Sequence, residues 1–573
     1  MNIINSIKGF RKATIMTPVF TALEVVMGVL IPYVTSWIID KGIMAGDIKN
    51  VYLYGALMLG IAALSLFFGL MSGRCSAKAS TGFAYNLREA MYTNIQTFSF
   101  SNIDKFSTAG LITRLTTDVN NLQNAFQMIL RVSVRAPLNL IFSVLMCVFI
   151  NPKMSLIFAV ALIILGTVIY MVLSRTVKLF AMVFGKYDDL NSAVQENVTA
   201  IRVVKAFVRE DYENTKFRKA AEALYRLFVK TESLQAINHP VMLLVVYGCI
   251  ISLSWWGAHF IVDGELTTGQ LTSLLTYVMT ILSSLMMLSM IFVTLTMSAA
   301  SWRRVAEIID EKADITSPAE NALTNVANGS IDFKDVCFSY ANEEGEYAIR
   351  DINLSIESGE TIGIIGGTGC GKSTLGNLIC RLYDTTKGAV CVGGSDVRRY
   401  DLTTLRDNVA IVQQTNTLFT GTILDNLRWG KEDATEEECI DVCRIACAHE
   451  FIEQMSDGYN THIEQGGVNV SGGQKQRLCI ARALLKQPKI LILDDSTSAC
   501  DTVTDKKIRQ GLKDCLPQTT KVIISQRIQS VRDADRIVVM QSGMIDAIGT
   551  HDQLLASNAI YKEIYQLQSE HQE

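Results

Sequence analysis

The chain has 573 residues, enough for several domains on a prior of ~150 residues each. Its formal net charge of −4 lacks the basic excess of a general nucleic-acid binder, which sets that class aside. Its 13 cysteines include no C-x-x-C pair and suggest no disulfide framework.

The basic residues Lys8, Arg11 and Lys12 lead into an apolar run too long for the h-region of a cleavable signal. A bilayer core takes about 20 apolar residues per helix. Six segments meet or approach that length: 13–39, 51–73, 132–150, 155–174, 240–262 and 266–302. The second, fourth, fifth and sixth carry no Asp, Glu, Lys or Arg. The third has Arg135 in its first turn, where it is expected to snorkel or face a cavity. The sixth is too long for the membrane alone and is expected to run on into the cytoplasm. Glu24 lies well inside the first segment. An intramembrane carboxylate is costly and reads as functional by default, which makes Glu24 the substrate candidate. It would bind a cationic substrate, couple a proton or pair with a neighbouring helix. Met279, Met286, Met287, Met290 and Met297 suit an adaptable pocket or, more simply, packing and lipid contact.

Loop lengths alternate. Residues 40–50, 151–154 and 263–265 form short connections, whereas 74–131 and 175–239 are long and are expected to be helical. The second long segment is rich in cations, including Lys178, Lys186, Arg202, Lys205 and Arg209. The positive-inside rule then puts both long segments, the amino terminus and the carboxy-terminal domain on the cytoplasmic side. Three hairpins with two long extensions suggest a plug and socket, with residues 101–106 and 206–212 as the tips that meet a soluble domain. Plain solvated helix is the alternative.

Residues 1–302 are therefore expected to form a membrane domain, 303–330 a polar linker and 331–573 a soluble domain. In the last, a strand-like run over 361–365 feeds into Gly366, Gly367, Thr368, Gly369, Cys370, Gly371, Lys372 and Ser373. That is a full G-x-x-x-x-G-K-[ST] match in strand–loop–helix context, with Thr374 continuing the site. Backbone N–H groups would close around the phosphates of ATP. Lys372 would reach the β/γ-phosphates, and the Ser373 hydroxyl would ligate Mg²⁺. The run 489–494 reads as a buried parallel strand ending at Asp494, where a carboxylate is placed to hold the same Mg²⁺. Cys439, Cys443 and Cys447 recur every four residues and are expected to share one helical face, as a buried thiol stripe more than a metal site.

The stretch V-S-G-G-Q-K-Q-R over 470–477, with Ser471, Gly472, Gly473 and Gln474, resembles the signature of ATP-binding-cassette (ABC) transporters. Taken with the phosphate loop and Asp494, essentially the whole chain is similar to an exporter-type half-transporter. The fold this implies is an α-helical transmembrane domain of six helices with long cytoplasmic extensions, joined to an α/β P-loop cassette. The resemblance further implies that Tyr340 stacks on adenine and that Gln414 links Mg²⁺ to the membrane domain. Ser498 to Asp501 resembles the D-loop. It also implies a second half-transporter, because two cassettes close head to tail and each signature caps the other's ATP.

Two positions depart from the family. Asp495 stands where a glutamate polarises the attacking water, and Gln526 stands where a histidine is usual. Glutamine can hydrogen-bond a phosphate but carries no titrating proton. The segment Glu464 to Gly467 differs as well. Together these resemble the degenerate-site subunit of a heterodimeric multidrug exporter, with Asp495 and Gln526 as the altered catalytic pair. The expected activity is ATP-driven export of hydrophobic or amphipathic small molecules, drug-like or lipid, across the cytoplasmic membrane. A lipid flippase, a peptide exporter, a siderophore importer and an ATP-gated channel are the alternatives.

Overall fold

The computed structural model describes residues 6–340 and 346–570. It divides into two compact units, Met1–Gln96 with Thr108–Glu311 and Thr97–Ser107 with Lys312–Glu573.

The first unit is helical. Its long elements are α1 (Arg11–Trp37, extended by a π-helical turn Ile38–Ile43), α2 (Ile48–Ile95) and, after the short α3 (Phe100–Phe106), α4 (Val119–Ile150). There follow α5 (Pro152–Thr199), α6 (Glu210–Ala236), α7 (Asn238–Val262) and α8 (Thr268–Asp310). Among the described residues, six helical stretches are long and apolar enough to cross a membrane. At 1.5 Å per residue, α2 spans about 70 Å, more than twice a hydrocarbon core. Much of it therefore runs outside the bilayer, as the long connections required.

Local chemistry fixes the short turns. Asn151 caps α5 by accepting from the N–H groups of Lys153 and Met154, with Pro152 at the first position. Thr267 and Gln270 form a reciprocal capping box at the start of α8. Asp40 accepts from the Thr267 hydroxyl at 2.6 Å and from the Gly269 N–H at 2.9 Å, tying the end of α1 to the start of α8. A side chain at Gly269 would come within 2.5 Å of the Ser36 carbonyl, so only glycine allows this approach. Inside the bundle, Tyr277 is fully buried and donates to the Val29 carbonyl at 2.7 Å, among Val25, Met242, Leu253 and Leu274.

The stretch 303–330 is divided between the units. Helix α8 continues to Asp310 because Val305 and Ile308, both fully buried, carry its apolar face onward. From Lys312 the chain belongs to the second unit, where Val326 enters the core and Leu323 bridges to Tyr400.

The described residues of the second unit hold two large sheets and a small two-stranded one. Strands β1 (Ile331–Phe338), β2 (Ile349–Ile356), β4 (Lys387–Val392) and β5 (Ser395–Asp396) form an antiparallel sheet in the order β2-β1-β4-β5. A six-stranded sheet contains β3 (Thr361–Gly366), β6 (Val409–Val412), β7 (Ile490–Asp494), β8 (Thr520–Ile524), β9 (Arg536–Gln541) and β10 (Met544–Gly549). Its order is β10-β9-β3-β8-β7-β6, parallel except for β10. Every residue of β7 and β8 is buried, as expected of inner strands in a parallel sheet covered on both faces.

The two tips behave differently. Helix α3 belongs to the second unit: Ser99 and Asn102 cap it reciprocally, and Ser101 donates to Asp314 at 2.8 Å. The Tyr383 hydroxyl donates to Asp104 at 2.7 Å, and burial together with that carboxylate pushes the phenol well above its ordinary range. The 206–212 tip stays in the first unit, with Phe207, Val208 and Tyr212 exposed. Val208 sits at φ 51°, a strained conformation for a β-branched residue.

The expected three-cysteine stripe is corrected to two. The helix Glu436–Ile445 stops before Cys447, which takes the left-handed conformation just past its end at φ 53°. Cys439 and Cys443 are fully buried, and burial pushes the Cys443 thiol up to about 12. Among the described residues no cluster of metal-ligating side chains occurs.

Candidate nucleotide site

The phosphate loop joins β3 to α9 (Lys372–Ile379). Gly366 closes the strand, Gly367, Thr368 and Gly369 are exposed, and Cys370 is buried. Gly371 caps the helix at φ +95°, and a side chain there would run into Ile349 and the Ala348 carbonyl. Glycine is thus demanded twice, by conformation and by space. Lys372 is buried, and its ammonium donates to the carbonyls of Gly366 at 3.0 Å and Gly367 at 2.7 Å. The lysine therefore lies along the inside of the loop that the motif says wraps phosphate.

Ser373 donates to Asp494 Oδ1 at 3.0 Å, which brings together the two residues expected to hold Mg²⁺. Asp494 is buried at the end of β7, and its carboxyl is raised above the usual range. Burial is the main cause and the neighbouring Asp495 carboxylate adds to it, while the Ser373 hydrogen bond and Lys372 work the other way. A hydroxyl and two adjacent carboxylates are hard oxygen donors that a divalent cation would relieve, so the residues fit Mg²⁺. Gln414 lies exposed on the loop after β6. Tyr340 is half-exposed, its hydroxyl 3.1 Å from Thr374 Oγ1 and its ring edge-on to Phe338 and Tyr383.

Asp495 and Gln526 meet. Gln526 Nε2 donates to Asp495 Oδ2 at 3.4 Å, and the Asp495 N–H donates to the Ile524 carbonyl at 2.8 Å. Asp495 sits in the left-handed region at φ 49°, which aspartate tolerates better than most residues.

The signature opens α10 (Gly472–Leu485), where Ser471 and Gln474 cap each other. Among the described residues no hydrogen bond links it to the phosphate loop. It is tied instead to the D-loop by a residue without a role in the sequence reading. Gln476, buried, accepts from the Ala499 N–H at 2.9 Å and donates to Ser498 Oγ at 3.1 Å. Arg527 adds a bond to the Ser498 carbonyl at 2.8 Å, and Asp501 caps the next helix through Thr504. The signal for Gln476 was its place inside the signature string.

At Gly473 a side chain would come within 2.9 Å of the Ala499 carbonyl. Gly473→Ala should push the D-loop off the signature and lower the ATPase rate of the assembled transporter by about tenfold or more, with ATP binding by this chain intact. An unchanged rate would show that this close approach is not needed.

Glu24 is nine-tenths buried, and of its expected roles the structure records the ion pair with a neighbouring helix, 3.3 Å from Arg135. Met279, Met286, Met287 and Met290 are exposed on α8, and the side chain of Met297 lies outside the described residues.

Comparison with known proteins agrees with this geometry. Residues 14–286 match the ABC transporter transmembrane region family, and residues 349–498 match the ABC transporter family. The chain is 35% identical over 545 residues to "Uncharacterized ABC transporter ATP-binding protein YfiB" of Bacillus subtilis, covering 95% of this chain and 94% of that protein. It is 30% identical over 539 residues to the ATP-dependent lipid A-core flippase of Desulfotalea psychrophila, covering 94% and 93%. The fold matches the structure of a bacterial Atm1-family ABC exporter with ATP bound, at a TM-score of 0.82 and 22% identity over 98% of both chains. A six-span helical unit, a cassette with a complete phosphate loop and signature, and full-length relatives together make this chain a multi-pass transporter ATPase of the ABC transporter family.

Proposed function

We propose that this chain is one half of an ATP-driven exporter of hydrophobic or amphipathic small molecules, paired with a second, different half that carries most of the hydrolysis. The observation that supports it most is the Asp495–Gln526 pair at 3.4 Å, beside an intact signature. Lys372 and the loop N–H groups bind the phosphates of ATP, and Tyr340 stacks on the adenine. Ser373, Asp494 and Gln414 would hold Mg²⁺, which when bound neutralises phosphate charge. Asp495 ends one methylene short of a glutamate, and its carboxylate is already engaged by an amide that cannot take a proton. ATP in this site turns over slowly, while Ser471 to Gln474 complete the partner's site. The relative named as a lipid A-core flippase favours an amphipathic cargo, with the cassette on the cytoplasmic side of the cytoplasmic membrane.

Purification tests the pairing. The chain alone should bind ATP and hydrolyse it slowly, gaining transport-coupled activity only with its partner half. A homodimer with brisk, transport-coupled ATPase activity would end the heterodimer reading.

A further inference from the structure

Resting on the reading of Gln526 as a residue of the nucleotide site, we infer that Gln568 is a positioning residue for it. The Gln568 amide fixes the backbone at Gln526 and so aims the Gln526 side chain at the terminal phosphate of ATP. The sheet brings Gln526 within reach of that phosphate. Strand β8 lies between β3 and β7 and runs parallel to both. Their carboxyl ends therefore carry, side by side, the phosphate loop, the segment 525–527 and Asp494 with Asp495. The Ser525 N–H donates to the Ile364 carbonyl of β3 at 3.1 Å, and the Asp495 N–H to the Ile524 carbonyl at 2.8 Å. Gln526 itself is exposed, and its bond to Asp495 at 3.4 Å is at the long limit of a hydrogen bond. A small shift of its backbone is enough to break that contact.

What holds that backbone comes from the last helix of the chain. Gln568 Nε2 donates to the Gln526 carbonyl at 2.8 Å, and Gln568 Oε1 accepts from the Ile528 N–H at 2.9 Å. Among the described residues, no other hydrogen bond reaches the backbone of Gln526. Ile528 opens a short helix, α11 (Ile528–Val531), whose preceding residue Arg527 offers no side-chain cap. Its N–H would otherwise be one of the orphan donors of a helix start. A carboxamide offers a donor and an acceptor at one end, which matches a carbonyl and an N–H two residues apart. Arg527 ties the same segment to the D-loop at Ser498, so the segment is held from two sides.

The arm that carries Gln568 is firmly docked. It is α12 (Ala559–Glu570), preceded by Asn558, which accepts from the Tyr561 N–H at 2.8 Å and donates to Asp546 at 2.6 Å. Tyr561 is fully buried, its hydroxyl 2.7 Å from His551 Nδ1, and Ile564 and Tyr565 pack against the same core. Positions 561, 564, 565 and 568 have the spacing of one helix face. The apolar stripe that docks α12 thus ends in a polar side chain, and that side chain grips the segment carrying Gln526.

The test is nucleotide preference at this chain's own site in the assembled, full-length transporter. Azido-labelled ATP is photo-crosslinked to the chain on ice, in competition with unlabelled ATP or unlabelled ADP. Gln568→Met should weaken ATP by about fivefold, the loss of a net hydrogen bond to the terminal phosphate, and leave ADP unchanged. A residue that merely supports the fold would weaken both nucleotides alike. Gln568→Glu keeps the shape of the side chain but cannot donate to the Gln526 carbonyl, so it should show the same selective loss. Gln526→Ala should match that loss, and adding Gln568→Met to it should cost nothing further, because no side chain is left to aim. Equal weakening of ATP and ADP, or additive losses in the double variant, would overturn the inference. So would an unchanged preference in Gln568→Met where Gln526→Ala lowers it, a result that leaves the role of Gln526 standing. If Gln526→Ala itself leaves the preference unchanged, the reading of Gln526 fails and the inference falls with it. None of these outcomes depends on the rate of hydrolysis or on whether the partner half is the same chain or another.

Discussion

Replacing Lys372 with alanine is expected to weaken ATP binding by this chain by about a hundredfold, the cost of about two charge-assisted hydrogen bonds. The ammonium is buried and bonds to the carbonyls of Gly366 and Gly367, so Lys372→Ala also strips two loop acceptors of their donor. Photo-crosslinking of labelled ATP to the chain, with its partner present, reads the loss directly. The partner's own site should still label. Undiminished labelling of this chain would remove Lys372 from the nucleotide site.

Restoring the longer acid, Asp495→Glu, should speed single-turnover hydrolysis at this site. A reach of about 1 Å further toward the phosphate corresponds to as much as a hundredfold in rate. Two features oppose the full gain. The residue sits at φ 49°, where glutamate is less at ease than aspartate, and Gln526 already occupies one carboxylate oxygen. The double change Asp495→Glu with Gln526→His should therefore exceed the single one. Rates that stay flat in both variants, measured with a competent partner, would show that the slow site has another cause.

The nucleotide site was legible because its motifs are local. The phosphate loop, the strand ending at Asp494 and the signature each lie within a few consecutive residues. The structure added the contacts between them, Ser373 with Asp494 and Asp495 with Gln526. Six apolar runs were equally plain, since length and composition suffice for a span. What the sequence hid depends on distant partners. Glu24 offered three roles until Arg135 stood beside it. Asp104 meets Tyr383 from 279 positions away, a separation that periodicity does not encode. The polar stretch after residue 303 looked like linker because its charges outnumber Val305 and Ile308, yet those two buried side chains are enough to carry a helix. Cys447 kept the spacing of a stripe but lies beyond the end of its helix.

The membership of α3 in the second unit has a mechanical consequence. The chain passes between the units at Gln96–Thr97, at Ser107–Thr108 and at Glu311–Lys312, three times instead of once. A body on one tether swivels freely, whereas a body on three can turn only if all three attachments give. Any rotation of the cassette is therefore drawn through the ends of α2 and α8 and the segment leading to α4. Motion at the nucleotide becomes torque on helices that reach the membrane.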